Sequence, residues 1–142
     1  MDVEALKAGY AAQTPDGVMI TDAQGSIVFW NEGCTRIFGF TQAEAMGQSI
    51  DIIIPEGLRA RHWHGWDQTM QRRSSRYGAG DLLSVPALRK DGARISVEFS
   101  ILPFKDATGA IIAVGATFRD ATQRFEELKQ LRKLRQATGS GA

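Results

Sequence analysis

The 142-residue sequence predicts an α+β fold, with a five-stranded antiparallel sheet that carries short helices on one face and is flanked by N- and C-terminal helices. Two observations predict it. Apolar and polar residues alternate strictly from Ile95 to Ile101, which is typical of a half-buried antiparallel strand. The elements also follow one another as two strands, several short helices, three strands and an exit helix, an order that such a layered sheet satisfies.

The N-terminal quarter of the chain predicts a helix followed by a hairpin. Residues 1–13 carry Val3, Leu6 and Tyr10 at helical spacing, and the turn-forming residues 14–17 (TPDG) end that helix. Two β-rich runs, 18–21 and 26–30, surround the turn DAQG. This arrangement is a hairpin signal.

A compact helical region follows the hairpin. Asn31 begins a short helix in which Cys34, Ile37 and Phe38 share one face. Thr41 and Glu44 then have the spacing of a capping box, which predicts a second short helix.

The second half of the chain is mostly strand. Residues 81–89 are β-rich, but Pro86 cannot donate a ladder hydrogen bond and therefore favours either an edge strand or a β-bulge. The turn KDG leads to the alternating strand, and residues 111–118 form the last one, with Ile112, Val114, Ala116 and Phe118 on one face.

We accordingly divide the chain into an N-terminal helix (1–13), a central domain (14–122), an exit helix (123–137) and a flexible tail (138–142). The exit helix spaces its apolar residues by three, at Phe125, Leu128, Leu131 and Leu134. These residues either pack back on the sheet or pair with a second copy of the chain, and two turns do not decide between the two.

Composition and charge exclude several classes of function. The net charge of +1 favours neither nucleic acid nor an anionic surface as partner. No run of about 18 apolar residues could span a bilayer. The single cysteine, Cys34, excludes an intramolecular disulfide and suits a cytoplasmic location. No enzyme motif is present, so we do not expect an enzyme.

The stretch 51–70 contains the candidate site. Pro55 is favourable at the start of a helix, and Leu58, His62, Trp66 and Met70 then fall near one apolar stripe. His64 faces the opposite, polar side. The inward imidazole of His62 is either an axial ligand to haem iron or a core histidine bonded to a backbone carbonyl.

Four segments together resemble the PAS sensor domains: DGVMITDAQGSIVFWN, GFTQAEAMGQS, RKDGARISVEFSI and the RDAT exit. The resemblance covers about residues 16–122. It implies a module that senses a small molecule, light or redox state and signals through flanking helices, often as a dimer.

Two subclasses of the family make different demands on the residues. Flavin-binding light sensors of the LOV type carry a reactive cysteine in an NCRFLQ-like motif, which is absent near residues 49–54, so we expect no flavin. Cys34 lies on an apolar helix face, as a small hydrophobe does. The segment PEGLRARH resembles the haem-bearing oxygen sensors, in which the proximal histidine stands seven residues after the proline, here His62.

This resemblance implies haem b with His62 as the iron ligand. The pocket positions that it implies fall on Val97, Phe99, Ile101, Val114, Ala116 and Phe118. Leu58 and Trp66 join them from the helical stripe. Before the KDG turn the distal position falls on Asp81, Leu82 or Leu83, of which we assign Leu83 to the pocket, and leucine cannot donate a hydrogen bond to bound O₂.

The expected function is detection of a diatomic gas (O₂, CO or NO), with the signal transmitted through the exit helix of a homodimer to a partner signalling protein or an effector domain. An apolar pocket would favour CO or NO. The alternative is a haem-free PAS module that binds another small apolar ligand or acts as a dimerisation or protein-interaction domain.

Overall fold

The computed structural model of the chain describes residues 1–140, and it confirms the predicted fold class. One five-stranded sheet has the order β2-β1-β5-β4-β3, with every neighbouring pair antiparallel. The strands are β1 Gly17–Asp22, β2 Ile27–Trp30, β3 Leu83–Leu88, β4 Arg94–Lys105 and β5 Ile111–Asp120. The α-helices are α1 Val3–Gln13, α2 Glu32–Phe38, α3 Gln42–Ala45, α4 Arg59–Arg72 and α5 Thr122–Ser140. Two 3-10 turns, Ile50–Ile53 and Glu56–Leu58, precede α4.

Local sequence signals explain several of the element boundaries. The Asn31 side chain caps α2 by accepting from the Cys34 N–H, and Gly39 ends that helix with a left-handed φ of 87°. The predicted capping box of α3 is present between Thr41 and Glu44. Pro86 lies in β3, which is an edge strand as predicted.

Strand register defines the inner face of the sheet, which the helices partly cover. Ala116 of β5 pairs with Met19 on one side and Ile101 on the other, and Phe118 pairs with Phe99. Directly paired residues point to the same side of a sheet. The inner face therefore comprises Met19, Thr21, Leu83, Val97, Phe99, Ile101, Val114, Ala116 and Phe118.

The densest part of the core lies between α2 and the half of the inner face that carries Phe118, which we call the upper half. Trp30 and Phe38 are fully buried, and their rings lie 5.6 Å apart. The Trp30 Nε1–H donates to Thr35 Oγ1 and to the Phe40 carbonyl, so the large indole is buried with its polar atom satisfied. Phe38 packs edge-on against Phe118, which joins helix to sheet.

One prediction about β5 is wrong because of a β-bulge. Phe104 pairs with Ala113, but the next pair is Lys105 with Ile111, so Ile112 is an extra residue in its strand. Consequently Ile111 is buried, whereas Ile112 is 52% exposed and does not share the inner face.

Two further boundaries differ from prediction. Pro55 begins the 3-10 turn Glu56–Leu58, and the α-helix starts only at Arg59, so Leu58 precedes α4. The exit helix extends through Ser140, three residues beyond its predicted end, and includes the first three residues of the predicted flexible tail. Residues 141–142 of that predicted tail lie outside the described residues.

Candidate functional site

Helix α4 is attached to the β1–β2 turn by its two tryptophans. The Trp66 Nε1–H donates to the Ala23 carbonyl over 2.9 Å, and the Trp63 Nε1–H donates to Asp51 Oδ1 over 2.8 Å. The Trp63 ring also lies on Gly25, where a Cβ would be 2.3 Å from Trp63 Cη2. These contacts with the hairpin turn therefore hold α4 against the core, and both indoles pack on the core.

His62 lies between these tryptophans with one ring nitrogen unpaired. Its Nδ1 is buried and has no hydrogen-bond partner within residues 1–140. The imidazole is edge-on to Trp63 at 4.7 Å and tilted against Trp66 at 5.8 Å. Burial lowers the pKa of His62, and the nearby Asp51 carboxylate offsets part of that effect. His62 is thus a neutral imidazole in aromatic surroundings.

His64 points away from this cluster, as predicted. Its ring is exposed, and its Nε2 lies 3.2 Å from Gln68 Nε2, one turn further along the helix. The two histidines therefore differ in environment, although they are two residues apart.

The predicted pocket residues of the sheet share the inner face but not the same degree of burial. Val97 and Phe118 are buried in the core. Phe99, Ile101, Val114 and Ala116 are half-buried, as are Leu83 at the edge and Leu58, His62 and Trp66 on the helical side. No residue of α4 is fully buried. The lower half of the inner face is therefore only partly covered by the rest of the chain, and we call it the inner cleft (Leu83, Phe99, Ile101, Val114 and Ala116).

The upper border of the inner cleft is aromatic and packed. Phe99 stacks on Phe118 with ring centroids 5.4 Å apart. Two surface cavities within residues 1–140 do not include His62. One is a groove of about 480 Å³ along α5 beside Leu131. The other, of about 320 Å³, lies mainly on the outer face of the sheet beside Leu102 and Phe104, and its lining also includes Ile101 and Ala116.

These observations test whether the residues fit haem b. A neutral imidazole with a buried, unpaired nitrogen suits an axial ligand, and the inner cleft offers an apolar, half-open wall. Within the described part of the chain, no group of three His, Cys, Asp or Glu residues could hold a metal ion. Haem iron would need only one ligand from the protein, and His62 could supply it. The donor atom of His62 and the apolar character of the inner cleft therefore fit haem b.

Cys34 does not provide an alternative reactive group. It is fully buried in α2, and this burial raises the pKa of its thiol to about 12, against a smaller opposing effect of its backbone hydrogen bond. The thiol is therefore protonated, as expected for a packing residue.

Sequence reasoning missed the residues that position α4. The sequence pattern marks Gly25 only as part of the turn DAQG, and it assigns neither Asp51 nor Trp63 to the site. The doubled tryptophan of HWHGW was a usable signal, because buried indoles generally require partners for their N–H groups.

Both terminal helices expose apolar residues. Phe125, Leu128, Leu131 and Leu134 of α5 are 46–64% exposed, so they do not pack back on the sheet of the same chain. Val3, Leu6 and Tyr10 of α1 are also exposed. At the base of α5, Thr122 Oγ1 accepts from the Ser96 N–H, and Asp120 Oδ1 accepts from the Thr122 N–H. The strand end and the helix start are therefore joined through β4.

The fold and the comparisons with known proteins define the class of this protein. The PAS_4 family, described as a PAS fold, matches residues 11–126. The chain belongs to this family and is a sensory PAS domain. No helix within residues 1–140 has the length and apolar character needed to cross a bilayer.

Two curated relatives are sensor proteins. The sensor protein FixL of Bradyrhizobium diazoefficiens is 30% identical over 87 residues, which cover 61% of this chain and 17% of that protein. The oxygen sensor protein DosP of Escherichia coli K12 is 25% identical over 118 residues, 83% of this chain and 14% of that protein. The chain thus spans less than a fifth of either relative.

Among solved structures, an RNA-binding light-oxygen-voltage receptor superposes with a TM-score of 0.75 at 19% identity, covering 94% of this chain and 37% of that one. At this identity the likeness establishes the fold alone. The predicted absence of flavin therefore stays a prediction.

Proposed function

We propose that this PAS domain binds haem b through His62, detects a diatomic gas and passes the signal to α5. The observation that carries the proposal is the buried Nδ1 of His62, which lacks a hydrogen-bond partner in the described residues. An unsatisfied buried nitrogen costs free energy in a merely structural histidine. The relationship to an oxygen sensor protein supports the same interpretation.

The role of each residue follows from its surroundings. His62 would hold the iron of haem b, and that iron would supply the binding of a diatomic gas. His62 is kept neutral by burial, which is the form that ligates metals. Leu83, Phe99 and Ala116 would line the apolar wall and exclude water. Leu83 has no hydrogen-bond donor to offer to O₂, which favours CO or NO as the gas detected.

The route to the output runs through β5. Val114 and Ala116 belong to the inner cleft, and the same strand ends at Asp120, two residues before α5 begins with Thr122. A shift of β5 would therefore change the direction in which α5 leaves the sheet. We infer that α5 pairs with a second copy through its exposed apolar residues and that the output acts on a partner protein or on an effector domain of a longer chain.

Optical spectroscopy of protein incubated with hemin and then reduced tests the haem site. We expect a Soret band that moves on addition of CO, disappears in His62→Ala and remains in His64→Ala. Protein that stays colourless after incubation, or a band that survives His62→Ala, would refute the assignment of His62.

A pair of β5 variants tests whether the macrocycle occupies the inner cleft. Ala116→Phe would fill the inner face, whereas Thr117→Phe adds the same ring to the exposed outer side of the same strand. We expect haem uptake to be lost only in Ala116→Phe. Equal uptake by both folded variants would place haem elsewhere.

The second candidate is a haem-free PAS module that holds a smaller apolar ligand in the inner cleft. The observation that favours it is the stacked pair Phe99 and Phe118, which narrows the cleft at its upper border. A colourless protein whose melting temperature rises with small apolar compounds in wild type, but not in Ala116→Phe, would support this candidate.

A further inference from the structure

We propose that Trp63 positions α4 by acting as a latch, and that a ligand enters the inner cleft when this latch releases. The Trp63 latch comprises the Trp63 indole, its seat on Gly25 and its hydrogen bond to Asp51. The inference rests on the proposed function in one respect, namely that the inner cleft holds a ligand; it holds for haem and for a smaller apolar molecule alike.

A few side-chain contacts, rather than a continuous buried face, hold helix α4 in place. None of its residues is fully buried. Trp63 and Trp66 connect it to Asp51 and to the β1–β2 turn, and beyond its last residue Arg73 Nη1 donates to the Thr108 carbonyl in the β4–β5 turn. Arg73 is the C-cap of α4 and has a left-handed φ of 58°, which is uncommon in a non-glycine residue. A helix with so few attachments can open when one of them is broken.

The seat of the latch admits glycine alone. Gly25 has a φ of 82°, and any Cβ there would meet Trp63 Cη2 at 2.3 Å and Cζ3 at 2.7 Å. The opposite edge of the ring is fixed by the 2.8 Å hydrogen bond from Nε1 to Asp51 Oδ1. One methyl group on Gly25 would therefore displace the indole from its seat.

The Trp63 latch is in direct contact with His62, the candidate iron ligand. The Trp63 ring lies edge-on to His62 at 4.7 Å, on the adjacent position of the same helix. Displacement of Trp63 therefore moves the imidazole. At the far end of α4, the bond from Arg73 to Thr108 reaches the turn from which β5 begins, so opening of α4 also acts on the strand that leads to α5.

Chemical labelling of the ligand-free protein tests the latch. Diethyl pyrocarbonate modifies neutral imidazoles, and mass spectrometry of peptides separates His62 from the exposed His64, which serves as internal reference. We expect His62 to be labelled about tenfold faster in Trp63→Phe, which loses the hydrogen bond to a charged acceptor. Thr69→Ala is the control, because it removes a bond to the Gly65 carbonyl within α4 itself.

A matched glycine pair separates release of the latch from general loss of stability. Gly25→Ala and Gly92→Ala both place alanine at a strongly positive φ, but a Cβ at Gly92 meets nothing within 4 Å. We expect faster labelling of His62 only in Gly25→Ala. Equal labelling in the two variants would overturn the proposal.

Hemin uptake distinguishes failure of the latch from failure of the haem site. Faster growth of the Soret band in Trp63→Phe and Gly25→Ala, with the final band unchanged, supports both proposals. Faster labelling of His62 without any Soret band keeps the latch and removes haem as the ligand. A His62-dependent Soret band that grows at the wild-type rate in both variants overturns the latch and leaves the haem site standing.

Discussion

The carboxamide oxygen of Asn31 accepts a hydrogen bond of 2.8 Å from the backbone N–H of Val18, which joins the start of α2 to β1. The same oxygen caps α2 at Cys34, while the Asn31 Nδ2 donates to the carbonyls of Ala11 and Asp16. One buried side chain therefore ties the end of α1, the entry to β1 and the start of α2 together.

Replacement of Asn31 by alanine should destabilise the domain by roughly 2–4 kcal/mol, because it removes a helix cap and leaves buried backbone groups unsatisfied. Urea denaturation measures the change. The control is Thr41→Ala, which removes an exposed cap of the same kind from α3 and should cost about 1 kcal/mol. Equal losses in the two variants would mean that the bonds to Val18 and Ala11 contribute nothing beyond capping.

Two helical glycines should respond to alanine in opposite directions. A Cβ at Gly33 would lie 2.1 Å from the Asp16 carbonyl oxygen, whereas a Cβ at Gly65 meets nothing within 4 Å. Gly33→Ala should therefore cost about 3 kcal/mol through overpacking. Gly65→Ala should stabilise the protein by about 0.5–1 kcal/mol, since alanine is the better helix former. Urea midpoints that shift in the same direction would contradict this account.

Periodicity predicted which residues share a face, and the structure agrees where the elements are regular. The alternation from Ile95 to Ile101 placed Val97 and Phe99 on the inner face of β4, and register confirms it. Pro86 correctly indicated an edge strand. Asn31 and Thr41 correctly marked helix starts, because capping depends on local backbone groups alone.

Periodicity could not predict changes of phase or distances between elements. The bulge at Ile112 and the 3-10 turn before Arg59 each shift the side-chain pattern, and neither has a strong local signal. The seat of Trp63 on Gly25 joins residues far apart in the chain, so it depends on how closely α4 approaches the hairpin. That distance also decides how wide the inner cleft is. The spacing of residues within one helix carries no information about either quantity.

The stability of the domain should fall as the pH falls through about 6.5, partly because of His62. Burial lowers the pKa of His62 in the folded state, so the unfolded chain takes up the proton first. This contribution is present above the ordinary histidine pKa and is lost as the pH falls toward the lowered value.

Urea denaturation at pH 7.5 and pH 5 measures this contribution to the pH dependence. His62→Leu should reduce the difference in unfolding free energy between the two pH values. The exposed His64 provides the control, and His64→Leu should retain the wild-type difference. A His62→Leu variant whose stability changes with pH as steeply as that of wild type would show that the imidazole is not protonated on unfolding.

Substitution of Leu131 should separate dimerisation from folding. Leu131 is 61% exposed in α5, so Leu131→Lys should leave the unfolding free energy within about 0.5 kcal/mol of wild type under monomeric conditions. The same variant should weaken self-association, because a lysine ammonium opposes burial in an apolar interface. Gln136→Lys adds the same charge to the same helix on the side away from Leu131 and Leu134, and it should associate as wild type does. Sedimentation equilibrium over a range of concentrations measures the association, and a dimer that is equally strong in Leu131→Lys and Gln136→Lys would exclude pairing through this face of α5.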